Sequence, residues 1–256
     1  MTEPKGHDGA DSGAVQPLDN GWSESADGWI DSQGEFGDFN RQYVLDPAFD
    51  LLLAGRSFAS ALDVGCGEGR FVRRLRQHHG LASVTGIDPT EPLLDVARRK
   101  DPAGTYILAQ AEDMPLPAQS FDLVVSYLSL IDIADLDRSV AEMARVMRLG
   151  ASLVIANLNP FITASGGAAW VRDAHGRKDF VRVDTYLEEH ADWQAWRGIR
   201  ILNYHRPMSR YMEALLAAGL RLVSFREPPA VGGPEAARSA YNRVPYRHLM
   251  EWVKPG

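Results

Sequence analysis

The chain has 256 residues, 45% of them hydrophobic, and a formal net charge of −7. That apolar content excludes disorder of the whole chain, and the acidic balance disfavours phosphate backbones, so no nucleic acid is expected as partner. A single cysteine, Cys66, excludes an intramolecular disulfide and a cysteine-based metal site; no metal is expected, and no run approaches the ~18 apolar residues of a membrane span.

Residues 1–20 are rich in Gly, Asp and Ser and predict a disordered lead without the apolar run of a signal peptide, so a cytoplasmic location is expected. Residues 21–58 predict a helical arm. Trp22, Trp29, Phe36, Phe39 and Tyr43 punctuate it, and Asp46-Pro47 starts a helix with proline at its first position.

From residue 59 short apolar runs alternate with amphipathic stretches. Strands are predicted over 60–64, 82–87, 106–109, 121–127 and 152–157, with helices over 70–78, 91–99 and 136–147. Strands separated by helices imply parallel βαβ units, and so a ligand-binding core over 59–157. In the helix at 70–78, Phe71, Val72 and Leu75 point inward, while Arg70, Arg73, Arg74 and Arg76 read as a solvated face.

The rhythm breaks over 158–206, which carries Phe161, Trp170, Phe180, Tyr186, Trp193 and Trp196. Segments 182–187 and 198–204 are expected to pair as a hairpin. A long insertion of this kind reads as a cap over the ligand site. The core resumes over 207–256, with a helix at 209–218 closed by Gly219, a strand at 220–225, a loop at 228–234 and a final strand at 246–253.

The strongest signal is Leu62-Asp63-Val64-Gly65-Cys66-Gly67-Glu68-Gly69, a strand running into three glycines and then a helix. Glycine suits a turn where ligand and backbone come close, and the helix N-terminus offers free N–H groups to an anion. Asp88 ends the second strand 23 residues after Gly65, where a carboxylate accepts from ribose hydroxyls. Together they point to a nucleoside-containing ligand. Dinucleotide folds carry G-x-G-x-x-G, whereas Arg70 stands here where the third glycine would fall. A nicotinamide oxidoreductase is therefore the weaker alternative.

The glycine segment resembles the first motif of class I S-adenosylmethionine-dependent methyltransferases, of the bacterial small-molecule type. Asp88 matches that family's acidic residue after the second strand. Residues 109–117 are similar to the stretch that holds the adenine, 120–126 to the fourth strand, and 144–150 to the family's R-V-L-x-P-G-G helix end. The resemblance implies an α/β, Rossmann-like fold: a mostly parallel seven-stranded sheet with helices on both faces, the helical arm, and the cap insertion.

It also implies S-adenosylmethionine as cofactor. Gly65 and Gly67 would line its methionine part, Asp63 would steady the loop and the amino group, and Asp88 would bind the ribose. Ala111 would meet the adenine with help from Gln110 or Glu112. Ser126 would offer its carbonyl to the ammonium, and Tyr127 would lie where methyl and substrate meet. Gln110 replaces the aspartate of many relatives, and Ser129-Leu130-Ile131-Asp132 replaces a frequent histidine pair.

Methyl transfer from a sulfonium needs alignment and exclusion of water more than covalent help. Trp170, Trp193 and Trp196 are candidate walls of a lid, or packing residues of the cap. If the nucleophile is a hydroxyl, His205 is the candidate base, with His190 and His175 behind it. Arg206 is a candidate for orienting an anionic substrate. Arg41 and Tyr43 of the arm are candidates for the methionine carboxylate. Cys66 is expected to fit the loop without reacting. The expected activity is methyl transfer to oxygen, nitrogen or carbon of a small metabolite. A protein that binds the cofactor without turnover is the alternative.

Overall fold

The computed structural model describes residues 20–166 and 170–256. The arm comprises α1 (Trp22–Gln33), a π-type turn (Arg41–Leu45) and α2 (Asp46–Leu53). The core then alternates β1 (Ser60–Val64), α3 (Arg70–Gln77), β2 (Ser83–Asp88), α4 (Glu91–Lys100) and β3 (Thr105–Leu108). It continues through β4 (Phe121–Tyr127), a 3₁₀ turn (Leu130–Asp132), α5 (Leu136–Val146) and β5 (Met147–Leu158). The cap holds α6 (Pro160–Thr163), β6 (Trp170–Arg172), β7 (Lys178–Val181), β8 (His190–Trp196) and β9 (Ile199–His205). The chain closes with α7 (Met208–Ala217), β10 (Arg221–Arg226), α8 (Glu235–Arg243) and β11 (Arg247–Val253).

Seven strands form one sheet in the order β10-β11-β5-β4-β1-β2-β3. All neighbouring pairs are parallel except those of β11, which runs antiparallel to both β5 and β10. The apolar residues of β1 and β4 are fully buried because both sheet faces are covered. On one face Leu62, Val64 and Val124 pack with Val140 and Met143 of α5 and Tyr211 and Leu215 of α7. On the other, Ala61, Leu123 and Val125 pack with Phe49 of α2, Phe71 and Leu75 of α3, and Leu94 of α4. Strand order reverses between β1 and β4. In open α/β sheets that reversal leaves a crevice at the carboxyl ends of the strands.

The structure differs from the expectations in the cap and adds a helix to the C-terminal part. The lead predicted over 1–20 lies outside the described residues except for Asn20, which is buried and accepts a hydrogen bond from Leu202 N at 2.9 Å. The partner of β9 is β8, not 182–187, and the hairpin closes on Trp196↔Ile199. Arg197 and Gly198 both have positive φ, 45° and 80°, as a two-residue turn matched to strand twist requires. Segment 182–187 instead turns at Thr185 (φ 51°), whose hydroxyl donates to Ala164 O at 2.9 Å. Residues 235–243 form the exposed helix α8, pinned by Tyr241 stacking on Phe39 at 4.8 Å.

The arginine face of α3 is not a freely solvated one. Arg70 grips both oxygens of Asp46 at 2.8 and 3.0 Å, Arg73 pairs with Glu68, Arg74 with Asp50 and Arg76 with Asp101. These acids stand far off in sequence or on the loop, so helical periodicity alone could not reveal them. The arm docks closely on the cap. Ser25 Oγ donates to Arg200 O at 3.0 Å, and a Cβ on Gly21 would meet that oxygen at 2.0 Å.

Candidate active site

The glycine bend and Asp88 are joined directly. Gly65 N and Cys66 N both donate to Ile87 O at 2.9 Å, which draws the bend onto the end of β2. Gly67 N donates to Asp88 Oδ2 at 2.8 Å, and Thr90 N donates to Oδ1 at 2.9 Å. Gly65 has φ 75°, and a Cβ there would lie 2.4 Å from Ser129 Cβ, so only glycine fits. A Cβ on Gly67 would meet nothing closer than 3.9 Å, because that residue faces a cavity.

The cavity, about 220 Å³, opens over the switch between β1 and β4. A single water needs roughly 10–15 Å³ on the same kind of measure, so side chains do not fill this space. Asp63, Gly65, Gly67, Asp88, Ala111, Glu112, Tyr127 and Arg41 all line it. Asp63 is 1% exposed and its Oδ1 has no partner. Burial, reinforced by the charge of Asp88 and opposed by Arg70, pushes its pKa up to about 7. An orphaned buried acceptor beside an open cavity suits a cationic donor such as the amino group of a ligand.

Arg41 is buried, its guanidinium 5.0 Å from the Trp29 ring centroid, 5.8 Å from that of Tyr127 and 3.3 Å from Asp38. Tyr127 donates its hydroxyl to Asp46 Oδ1 at 2.8 Å and presents its ring to the cavity. Phe49, Phe71 and Tyr127 form a ring triad with centroids 4.6–5.2 Å apart.

Several candidates lie elsewhere. Ser126 does not line the cavity; its hydroxyl is 2.7 Å from Ser129 Oγ, beneath the glycine bend. Gln110 also lies outside the lining and bridges to Asp113. Tyr43 leaves the cavity for Phe39, 5.1 Å away, and its carbonyl accepts from Val231 N. His205 is 2% exposed and away from the lining, with Nδ1 2.6 Å from Thr163 Oγ1 and Nε2 2.9 Å from Tyr186 O. Both ring nitrogens are engaged and burial lowers its pKa, so it ties the cap together.

Arg206 does not face the cavity. It donates to the carbonyls of Leu130, Ile133 and Ala134, which fixes the turn after β4. Trp196 lines the cavity and Trp170 and Trp193 do not; Trp22 and Trp29 of the arm supply the other aromatic walls. Asp50, His78 and His79 bring possible ligand atoms within 4.8 Å of one another outside the cavity, but Arg74 already donates to both Asp50 oxygens.

Among the lining residues that sequence reasoning missed, three bear on the chemistry. Asp132 closes the 3₁₀ turn, and its Oδ1 accepts from Asn203 Nδ2 of β9 at 2.5 Å. Burial, with the charge of Asp88 adding to it, raises the Asp132 pKa well above its ordinary value; Asn203, Trp22 and Arg41 act against that rise. Arg247 enters from the start of β11. An aspartate five residues past the end of β4 is a weak signal, and nothing local marks Asn203 or Arg247.

Sheet order, glycine bend, Asp88 and orphaned Asp63 together define a Rossmann-like α/β fold whose cavity suits a nucleoside-containing ligand with an amino group. Residues 62–155 form a domain of the class I S-adenosylmethionine-dependent methyltransferases and match the family described as methyltransferase domain. The chain is 34% identical over 168 residues to malonyl-[acyl-carrier protein] O-methyltransferase of Salmonella typhimurium, covering 65% of this chain and 64% of that protein. It is 30% identical over 98 residues to a ubiquinone/menaquinone biosynthesis C-methyltransferase of Campylobacter jejuni, covering 36% of this chain and 42% of that protein. It thus spans less than two thirds of these relatives. An S-adenosylmethionine-dependent methyltransferase structure from Mesorhizobium loti superposes with TM-score 0.71 at 27% identity, over 86% of this chain and all of that one. The cofactor of this class is S-adenosylmethionine, and the unpartnered Asp63 oxygen and open Gly67 fit it.

Proposed function

We propose that the protein transfers a methyl group from S-adenosylmethionine to an oxygen or nitrogen of a small cytoplasmic metabolite, with carbon as the remaining option. The observation that carries this reading is the clipping of Asp88 to Gly67 beside the unpartnered Asp63 carboxylate. Asp88 keeps free lone pairs for two ribose hydroxyls, Asp63 receives the amino group, and Arg41 takes the carboxylate. Ala111 and Glu112 flank the adenine. When bound, the cofactor supplies a methyl group on positively charged sulfur. The chain's own part is positioning: Trp22, Trp29, Trp196 and Ile201 exclude water, and Asp132 with Asn203 holds an O–H or N–H of the acceptor, whose proton the ionised form of Asp132 takes up.

Two relatives are named for O- and C-transfer respectively, and the Asp132–Asn203 pair favours a nucleophile that carries a proton. No helix among the described residues is long and apolar enough to cross a membrane. Incubating the protein with a metabolite extract and methyl-labelled S-adenosylmethionine tests the reading. Label in a small product is expected; tight binding with no transfer would favour a binding protein without turnover.

Cofactor affinity should depend on pH. With its pKa near 7, Asp63 is largely protonated at pH 6 in the free protein, and binding an ammonium favours the ionised form. S-adenosylmethionine should bind roughly tenfold more weakly at pH 6 than at pH 7.5, with proton release in calorimetry across several buffers. Asp63→Asn should flatten most of that dependence. In the free protein the same raised pKa means the folded form holds a proton that the unfolded chain has released. Asp63 therefore lowers stability as pH rises from about 4 to about 7, and adds no further change above that.

A further inference from the structure

The cavity reaches beyond the proposed cofactor cradle, and Arg247, which lines it, has no acid in contact among the described residues. Arg247 opens β11 and is paired in register with Leu158, the last residue of β5. It therefore sits at the edge of the sheet where the parallel strands finish. The sheet order places β11 two strands from β4 and three from β1. At about 4.8 Å per strand, Arg247 starts about 10 Å from the strand below Tyr127 and about 14 Å from the strand that carries the glycine bend. That displacement puts it across Tyr127 from the strand that carries the glycine bend.

Its surroundings leave the guanidinium incompletely answered. Arg247 Nε is buried and has no hydrogen-bond partner. Nη1 donates to the carbonyl of Tyr246 at 3.0 Å, and among the described residues Arg247 makes no ion pair. Tyr241, Asp38 and Tyr127 favour its charge only at longer range, the charge of Arg41 opposes it, and Asp38 is itself 3.3 Å from Arg41. Arg70, Arg73, Arg74 and Arg76 each have an acid in contact, and Arg206 is held by three carbonyls. Burial disfavours the charge on Arg247, as its lowered pKa records, yet a guanidinium stays protonated in water-accessible proteins. An enclosed arginine facing a cavity is matched by a ligand anion, and its planar fork fits a carboxylate through two parallel hydrogen bonds.

We infer that the methyl acceptor carries a carboxylate that Arg247 grips at the far end of the cavity, with its nucleophile at Asp132 and Asn203. Trp29, Trp196 and Ile201 line the same cavity, so the acceptor is a small, partly apolar acid. This deepens the methyl-transfer reading and rests on it.

The test needs no turnover. Full-length protein saturated with S-adenosylhomocysteine is titrated with indole-3-acetate and 3-phenylpropionate, and with the amides of both, by calorimetry or ligand-observed NMR. Each acid is expected to bind at least tenfold more tightly than its amide. Arg247→Met should erase that preference while S-adenosylhomocysteine affinity stays within threefold of the parent. Arg247→Lys, which keeps the charge and loses the fork, should retain part of the preference, and it supplies the readout if the methionine variant does not fold. Equal binding of acids and amides overturns the inference and leaves the cofactor reading standing. A tenfold loss of S-adenosylhomocysteine affinity in Arg247→Met also overturns it, because Arg247 would then serve the cofactor. Absence of S-adenosylhomocysteine binding by the parent protein overturns both readings.

Discussion

Asp88→Ala is expected to weaken S-adenosylmethionine binding about a hundredfold or more while the protein stays folded. Two ribose hydroxyls donating to a carboxylate contribute about 1.5–3 kcal/mol each, and about 3 kcal/mol in total already corresponds to about a hundredfold in Kd. The variant also frees Gly67 N and Thr90 N, the two amides that Asp88 now holds at 2.8 and 2.9 Å. The glycine bend keeps its bonds to Ile87 O, so the turn itself persists. Asp88→Asn should fall between the two, since its amide oxygen still accepts. Calorimetric titration of the three proteins checks the order; a loss under tenfold in the alanine variant would remove Asp88 from the ribose site.

The second large effect is on stability. Asp46 is 6% exposed and serves three partners: both donors of Arg70, the hydroxyl of Tyr127, and Arg74 at 3.7 Å. It belongs to α2, Arg70 to α3 and Tyr127 to β4, so one carboxylate joins the arm to both sides of the glycine bend. Asp46→Ala leaves the Arg70 charge enclosed without its acid. Breaking one side of such a buried pair costs about 3–5 kcal/mol, a large part of a stability typically about 5–15 kcal/mol. Urea unfolding should show that loss, and Asp46→Ala/Arg70→Met should recover much of it because no lone charge is left behind. A single-variant loss under about 1 kcal/mol would mean that water enters and solvates Arg70.

The core's elements were legible because their signals are local. The strand at 60–64, the strand at 121–127 and the three helices at 70–78, 91–99 and 136–147 all appear within a residue or two of the predicted bounds. Each is written in a run of alternating or helical apolar positions that the buried sheet then uses on both faces. The glycine bend and Asp88 were legible for the same reason, since each sits at the end of a recognisable strand.

What stayed hidden depends on distance in the chain. Asp132 meets Asn203 across 71 residues, and Arg70 meets Asp46 across 24. His205 illustrates the opposite error. Residue type and position in the cap suggested a base, while the partners that occupy its ring nitrogens, Thr163 and Tyr186, could be seen only in three dimensions. The β8–β9 hairpin is hard to read in the sequence because its turn, Arg197-Gly198, lacks the Asn-Gly or Asp-Gly signature of a two-residue connection.

Because β11 is bonded on both edges, to β5 and to β10, it fills an interior slot in the sheet rather than extending its rim. During synthesis the earlier strands emerge from the ribosome with that slot vacant, and β10 has no route to the rest of the sheet until Val253 has cleared the exit tunnel. Trimming a few residues from this strand would therefore split the sheet rather than shorten it. Arg247 is delivered with the same strand, so the nascent chain completes the glycine bend and Asp88 before Arg247 can reach the cavity.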